Sequence, residues 1–204
     1  MKSYIVINGV TYELVERTGL VTVPESGLVA GPKLADIPVG ETFKLGDHEM
    51  IVLEQSGDTA AVIRKELLVD RMAFGKNNRY EESNVDAECG KFADEIAAIV
   101  GSENLVEHTV DLTSDDGLKD YGKIRRKVSL LTTGLYRRYV EILDKHKIGK
   151  WWWLATPYST ARHENTSWVK CVAPSGGIIN VNCCCYDFGV RPFCILKSNI
   201  FVSK

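Results

Sequence analysis

Short runs of alternating apolar and polar residues, separated by glycine-containing turns, set the limits on how this chain can fold. Runs joined by two or three turn residues double back on themselves, so the sheets they build are antiparallel. Residues 3–15, SYIVINGVTYELV, alternate Tyr4, Val6, Val10, Tyr12 and Leu14 around Asn8-Gly9, which predicts a hairpin. Three further runs, ETFKLG, HEMIVLEQ and TAAVIRKEL, are joined by Gly46-Asp47 and Gly57-Asp58 and predict a three-stranded meander. WVKCVAPSGGIINVN turns at Ser175-Gly176-Gly177 and predicts a late hairpin.

Two stretches carry helical spacing. Residues 87–100 gather Phe92, Ile96, Ala97, Ile99 and Val100 on one apolar face and stop at Gly101. Residues 127–146 space Leu131, Leu135, Tyr139, Ile142 and Leu143 for one helix, although Gly134 costs it ~1 kcal/mol relative to Ala and favours a start after Thr133. Both read as packing elements. Residues 71–88 are polar and read as irregular. WWWLATP reads as a strand with Trp151 and Trp153 on one face and Trp152 on the other, ended by Pro157. Such side chains bury well, which makes this strand core with at least one Trp at its rim. YSTARHENTS is a polar loop, CCCYDFG a short connection and VRPFCIL a last strand. The fold class predicted is α+β: an N-terminal hairpin and antiparallel meander, two helices and a C-terminal antiparallel sheet.

Residues 17–40 are rich in Gly, Pro and Val and too apolar for a free linker. They predict an extended arm lying on its own domain or on a neighbouring subunit. The chain therefore divides into a hairpin and arm, 1–39, and a main domain, 40–204. The arm is the candidate for self-association or for attachment to a virion.

Charge and length exclude several classes. Formal net charge is -2, so no global basic field draws in nucleic acid. The run Lys123, Arg125, Arg126 and Lys127 reads as a solvated helix start. No apolar run reaches the ~18 residues of a membrane span. The opening MKSYIVING lacks the longer apolar run and cleavage site of a signal peptide, which predicts synthesis in a cytoplasm. Release as part of a virion or a surface assembly stays open.

No catalytic or metal constellation stands out. The cysteines at 89, 171, 183, 184, 185 and 194 have no C-x-x-C spacing and predict reduced thiols, with Cys89, Cys171 and Cys194 buried. His48, His108, His146 and His163 lack G-x-S-x-G or H-E-x-x-H partners. Asp111 and Asp115-Asp116-Gly117 offer loose calcium ligands, but a turn start explains them as well. Neither enzyme activity nor a cofactor is expected.

WWWLATP, then Val172-Ala173-Pro174-Ser175-Gly176, then Gly189-Val190-Arg191-Pro192-Phe193 and a closing strand resemble a C-type-lectin-like domain. More narrowly, they resemble a bacterial and phage domain family of unassigned function. In that family a meander like Phe43-Lys44-Leu45-Gly46 with Ile51-Val52-Leu53-Glu54 precedes the helices, and a helix marked by Ser129-Leu130-Leu131-Thr132 leads to the Trp strand. The resemblance spans about residues 40–204. The same fold includes variable proteins of diversity-generating retroelements, whose varied residues lie just before and around a G-V-R-P-like segment. Carried over, it implies ligand binding by Tyr158, Arg162, His163, Asn165 and Ser167, and by Asn180, Asn182, Cys183, Cys184, Cys185, Tyr186 and Asp187. The implied partner is a protein or glycan target.

Residue types support the second cluster. Asn, Cys, Tyr, Asp and Phe all have codons ending only in a pyrimidine, and NCCCYDF at 182–188 draws on nothing else. Adenine-directed mutagenesis of Asn codons leaves such a run; Glu164 and Lys170 do not fit it. Both segments also have the Tyr, Ser and Asn character of adaptable binding loops. Two alternatives remain on this scaffold. One is a copper-dependent oxidase of the formylglycine-generating type, in which the triple cysteine would hold a soft metal, although the cysteine spacing of that group is missing. The other is a structural phage component.

Overall fold

The computed structural model describes residues 3–7, 10–14, 31–184 and 186–203. The Asn8-Gly9 turn, residues 15–30 with the first part of the arm, and Cys185 lie outside them. In chain order, β1 (Ser3–Ile7) and β2 (Val10–Leu14) pair antiparallel with Ile7 opposite Val10, the register of a two-residue turn. The meander follows as β3 (Thr42–Leu45), β4 (His48–Ser56) and β5 (Thr59–Arg64), with β6 (Val69–Ala73) leaving it. Gly46 and Gly57 take φ of 55° and 59° in its turns, a backbone that L side chains resist. Helix α1 (Asn84–Val100) leads to β7 (Leu105–Val106), β8 (His108–Asp111), β9 (Lys123–Arg126) and β10 (Val128–Ser129). Helices α2 (Thr133–Arg138) and α3 (Val140–Lys145) precede β11 (Trp152–Pro157), β12 (Trp168–Val172), β13 (Ile178–Asn182), β14 (Asp187–Val190) and β15 (Phe193–Lys197).

The strands assemble into an α+β architecture. One sheet runs β10-β15-β5-β4-β3, with β7 also on β15; a second runs β13-β12-β11-β14-β6; β8 and β9 pair apart. Among the described residues every ladder is antiparallel except a single parallel bridge from Trp152 to Gly189.

Alternation along these strands feeds two cores. Met50 and Val52 of β4 join Cys89, Phe92 and Ile96 of α1, with Trp153 and Ala155 of β11. Ile51 and Leu53 join Tyr136, Tyr139 and Leu143 of α2 and α3, with Trp152 and Leu154. β11 is thus buried on both faces. Trp151, at its edge, is exposed and stacks on Phe188 at 5.1 Å, while Trp153 meets the same ring at 4.8 Å. Truncating Trp153 to Ala would cost ~3–5 kcal/mol. Cys89, Cys171 and Cys194 are buried thiols, pushed up to about 12 by desolvation.

The helices depart from their sequence patterns. α1 starts earlier than 87 because Ser83 caps it, its hydroxyl accepting the Asp86 amide at 3.1 Å. The single helix expected over 127–146 is not formed. Val128 and Ser129 pair instead with Cys194 and Phe193. Helix begins only after Thr132, which caps the Leu135 amide at 3.3 Å, and breaks at Tyr139, so the described residues hold three α-helices where two were expected. Tyr139 turns its hydroxyl to Glu54 Oε2 at 2.6 Å, and this tertiary bond fixes the residue at the break. The irregular stretch 71–88 holds the end of β6 and the start of α1, and the presumed connection CCCYDFG runs into β14.

Residues 31–40 of the arm lie on the protein's own C-terminal segment. The Leu34 amide donates to Ile200 O at 2.9 Å and the Val202 amide to Pro32 O at 3.0 Å. Leu34 and Ile37 are buried in the first core region. A Cβ on Gly31 would stand 2.2 Å from Val202 O, so only glycine fits that approach.

The Gly189–Pro192 segment locks the sheets together. Arg191 is 1% exposed and has no carboxylate in ion-pair reach among the described residues. Its guanidinium donates to Arg64 O and Lys65 O at 2.9 Å and to His146 O at 3.4 Å, and lies 5.3 Å from the Trp152 ring. Burial lowers its pKa to about 10, still high enough to keep the charge at neutral pH.

Candidate binding surface at the loop end of the second sheet

β11 ends at Pro157 and β12 begins at Trp168, so residues 158–167 form a loop at one end of the sheet. Asn78 is the post it is tied to. Its fully buried side chain donates from Nδ2 to Ser159 O at 3.0 Å, Trp168 O at 2.8 Å and Asn165 O at 3.4 Å. Its Oδ1 accepts the Tyr121 hydroxyl at 2.8 Å, and its amide donates to Thr166 O at 2.8 Å. One side chain thereby satisfies carbonyls that an irregular loop would otherwise strand away from water.

A second brace comes from the loop between β8 and β9. Asp116 accepts Ser159 Oγ at 2.5 Å and lies 2.9 Å from His163 Nδ1. Asp120 accepts Thr160 Oγ1 at 2.7 Å and pairs with Arg162. Asp115 pairs with Lys170 Nζ at 2.8 Å. Burial tends to raise the Asp116 pKa, but hydrogen bonds from Ser114, Ser159 and His163 outweigh it and hold the carboxyl well below its usual range. The calcium reading of this loop meets carboxylates already engaged by protein groups. Among the described residues no group of three or more His, Cys, Asp or Glu is placed to hold a metal.

The second candidate segment reaches the same end. The Cys183 amide donates to Ser167 O at 2.8 Å, and Trp168 pairs with Asn182 across the ladder. Asn182 Oδ1 then accepts the Cys184 amide at 2.9 Å, turning the chain toward β14, where Asp187 pairs with Ala73. The two segments predicted from sequence therefore meet at one end of the sheet.

Their side chains divide by role. Arg162 is exposed but pairs with Asp120, and exposed His163 is hydrogen-bonded to Asp116. Asn165 is half-buried and accepts the Ser167 and Trp168 amides. Ser167 contributes its carbonyl. Asn180 accepts Lys170 Nζ at 2.7 Å. The expectation that the triple cysteine is an exposed contact surface fails at Cys183, which is buried in the first core and lies 3.3 Å, sulfur to sulfur, from Cys184. Alternation explains it: Cys183 continues the inward face of Val181. Cys184 is exposed, with its thiol against Gly75 O and Lys76 O at 3.3 and 3.2 Å; Cys185 lies outside the described residues.

Outward-facing area comes from Tyr158, Tyr186 and Asp187, and from Trp168, which sequence patterning assigned to a strand. The three aromatic rings are each more than a third exposed. Lys170 Nζ lies 5.9 Å from the Tyr158 ring, and Tyr186 rests 5.7 Å from Phe188. Sequence reasoning missed the braces because Asn78 and Asp120 carry no local pattern; Asp115-Asp116-Gly117 was visible only as loose calcium ligands or a turn start.

Residues 136–198 match a family described as a domain of unknown function (DUF6273). That span contains β11 to β15 and both loop segments. No curated protein and no solved structure matches the chain.

Proposed function

We propose that this chain is a ligand-binding display module on a C-type-lectin-like scaffold, presenting residues 158–168 and 182–187 to a protein or glycan target. The observation that supports it most is the division of labour just described. Buried Asn78 and the Asp115–Asp120 brace hold the loop backbones, while Tyr158, Trp168, Tyr186 and Asp187 face outward. A surface of this kind exchanges its outward residues without disturbing what holds it. Aromatic rings on a fixed backbone give large contact area at low entropic cost. The codon character of 182–188 extends the proposal to a retroelement-diversified receptor-binding protein of phage or prophage origin. It would be attached to a virion or a surface, and would act through binding rather than catalysis.

Comparison of sibling gene copies tests the diversified form. Differences concentrated at codons for the two segments, beside a reverse-transcriptase gene, are expected. Identical siblings with no such gene would overturn it.

A further inference from the structure

Cys183 and Cys184 are neighbours in the chain, and in a continuing strand they would point to opposite faces. The chain turns there instead. β13 ends at Asn182, whose Oδ1 accepts the Cys184 amide, and the turn brings the two sulfurs to 3.3 Å. A disulfide bond of ~2.05 Å is only about 1.2 Å of further approach away.

Access separates the two thiols. Cys184 is exposed, whereas Cys183 is buried at 0%. A small water-borne oxidant therefore reaches Cys184 and leaves the oxidised sulfur with a second thiol already beside it. Cys89, Cys171 and Cys194 are buried, which shields them from the same reagent. The Cys184 thiol also ties the turn to the segment after β6, as the donor facing Gly75 O and Lys76 O at 3.3 and 3.2 Å. Such S–H contacts are weak, so they do not withhold the sulfur from reaction.

We propose that Cys183 and Cys184 form a reversible oxidation site for hydrogen peroxide. The Cys184 sulfur attacks one peroxide oxygen, the O–O bond breaks, and a Cys184 sulfenic acid and one water form. The Cys183 sulfur then attacks the sulfenic sulfur. An S–S bond forms, and the hydroxyl leaves with the Cys183 proton as a second water. The two thiols lose two electrons and the peroxide gains them. Adjacent Cα atoms stand about 3.8 Å apart, closer than the roughly 4.4–6.8 Å of ordinary disulfides. The closed pair is therefore strained and yields to thiol reductants, a reversible mark rather than a staple. Oxidation removes the S–H that faces Gly75 O and Lys76 O, and so frees the turn that leads to Tyr186 and Asp187. None of this depends on what the loop surface binds.

The test is oxidation of the native full chain with hydrogen peroxide, read by intact mass, tandem mass spectrometry and amide-resolved NMR. The intact mass should fall by two hydrogens, with the link mapped between Cys183 and Cys184, and dithiothreitol should restore it. Amide shifts should appear at Lys76, Asn77 and Tyr186 and reverse with the reductant. Cys184→Ser should abolish the mass loss. Cys183→Ala should instead leave a Cys184 sulfenic acid that dimedone traps, and Cys185→Ser should oxidise like the parent. Should Cys183→Ala not fold, the link mapped in the parent and the Cys185→Ser variant still decide. Four results would overturn the proposal: no loss of two hydrogens; a link that involves Cys185 or a second chain; a Cys185→Ser variant that no longer oxidises; or a disulfide that forms without amide shifts at Lys76 and Tyr186.

Discussion

Replacing Asn78 with Ala removes the post that ties the 158–168 loop to the body of the protein. Three bonds are well formed, to Ser159 O, Trp168 O and from Tyr121, at 2.8–3.0 Å; the fourth, to Asn165 O, is long. A sound buried hydrogen bond contributes about 1 kcal/mol net, and stranded carbonyls add a desolvation cost. The expected loss is about 3–4 kcal/mol, or about 10 °C in melting temperature for a chain of this length. Urea unfolding with an unchanged slope would measure it. Hydrogen exchange should quicken at the Tyr158 and Cys183 amides, which donate to Trp168 O and Ser167 O. Asn78→Asp sharpens the test. A buried carboxylate facing three carbonyls has a raised folded-state pKa. Its penalty is therefore absent below the ordinary carboxylate pKa of ~3.9, grows as pH rises through the folded value, and is complete above it. A loss under ~1 kcal/mol for Asn78→Ala, too little for even one stranded buried carbonyl, would refute the reasoning.

Arg191→Met should cost at least ~3 kcal/mol, because three carbonyls lose their donor, and Arg191→Lys should recover little, lacking the planar fork that spans them; calorimetry reads both. Burial, then the nearby Arg125 charge, lower the His108 pKa to about 4. Below the unfolded value of ~6.5 the unfolded chain takes up a proton that the folded one refuses. Stability should therefore fall from about pH 6.5 to about 4 and level off below, with a slope of up to one proton that His108→Gln removes. Thiol labelling of the native protein should reach Cys184 and spare Cys89, Cys171 and Cys194, whose buried thiols react only after unfolding.

What the sequence revealed and what it hid follow from the range of the interactions. The meander was legible because Gly46 and Gly57 mark their turns locally, and the hairpin at 175–177 because Gly176 does the same with φ of 91°. The three tryptophans were legible as faces of one strand, with Trp152 and Trp153 entering opposite cores. β14 was hidden, since its partners β6 and β11 lie far away in the chain and its own residues read as a connection. Gly134 marked the late start of the helix expected within 127–146, but nothing local showed that Val128 and Ser129 pair with Cys194 and Phe193. Both candidate segments lie at one end of the second sheet, yet most of their polar residues hold the structure. That distinction rests on Asn78, Asp116 and Asp120, which meet the loops only after folding.

The claim that Tyr158, Trp168, Tyr186 and Asp187 form an exchangeable contact surface on a fixed scaffold is tested most directly by randomising those four positions together. The library would be displayed and selected against a defined protein such as lysozyme. Most clones should stay folded with melting temperatures close to the parent, and enriched clones should lose binding when the four positions revert. Widespread misfolding, or selected binding that survives reversion, would contradict it.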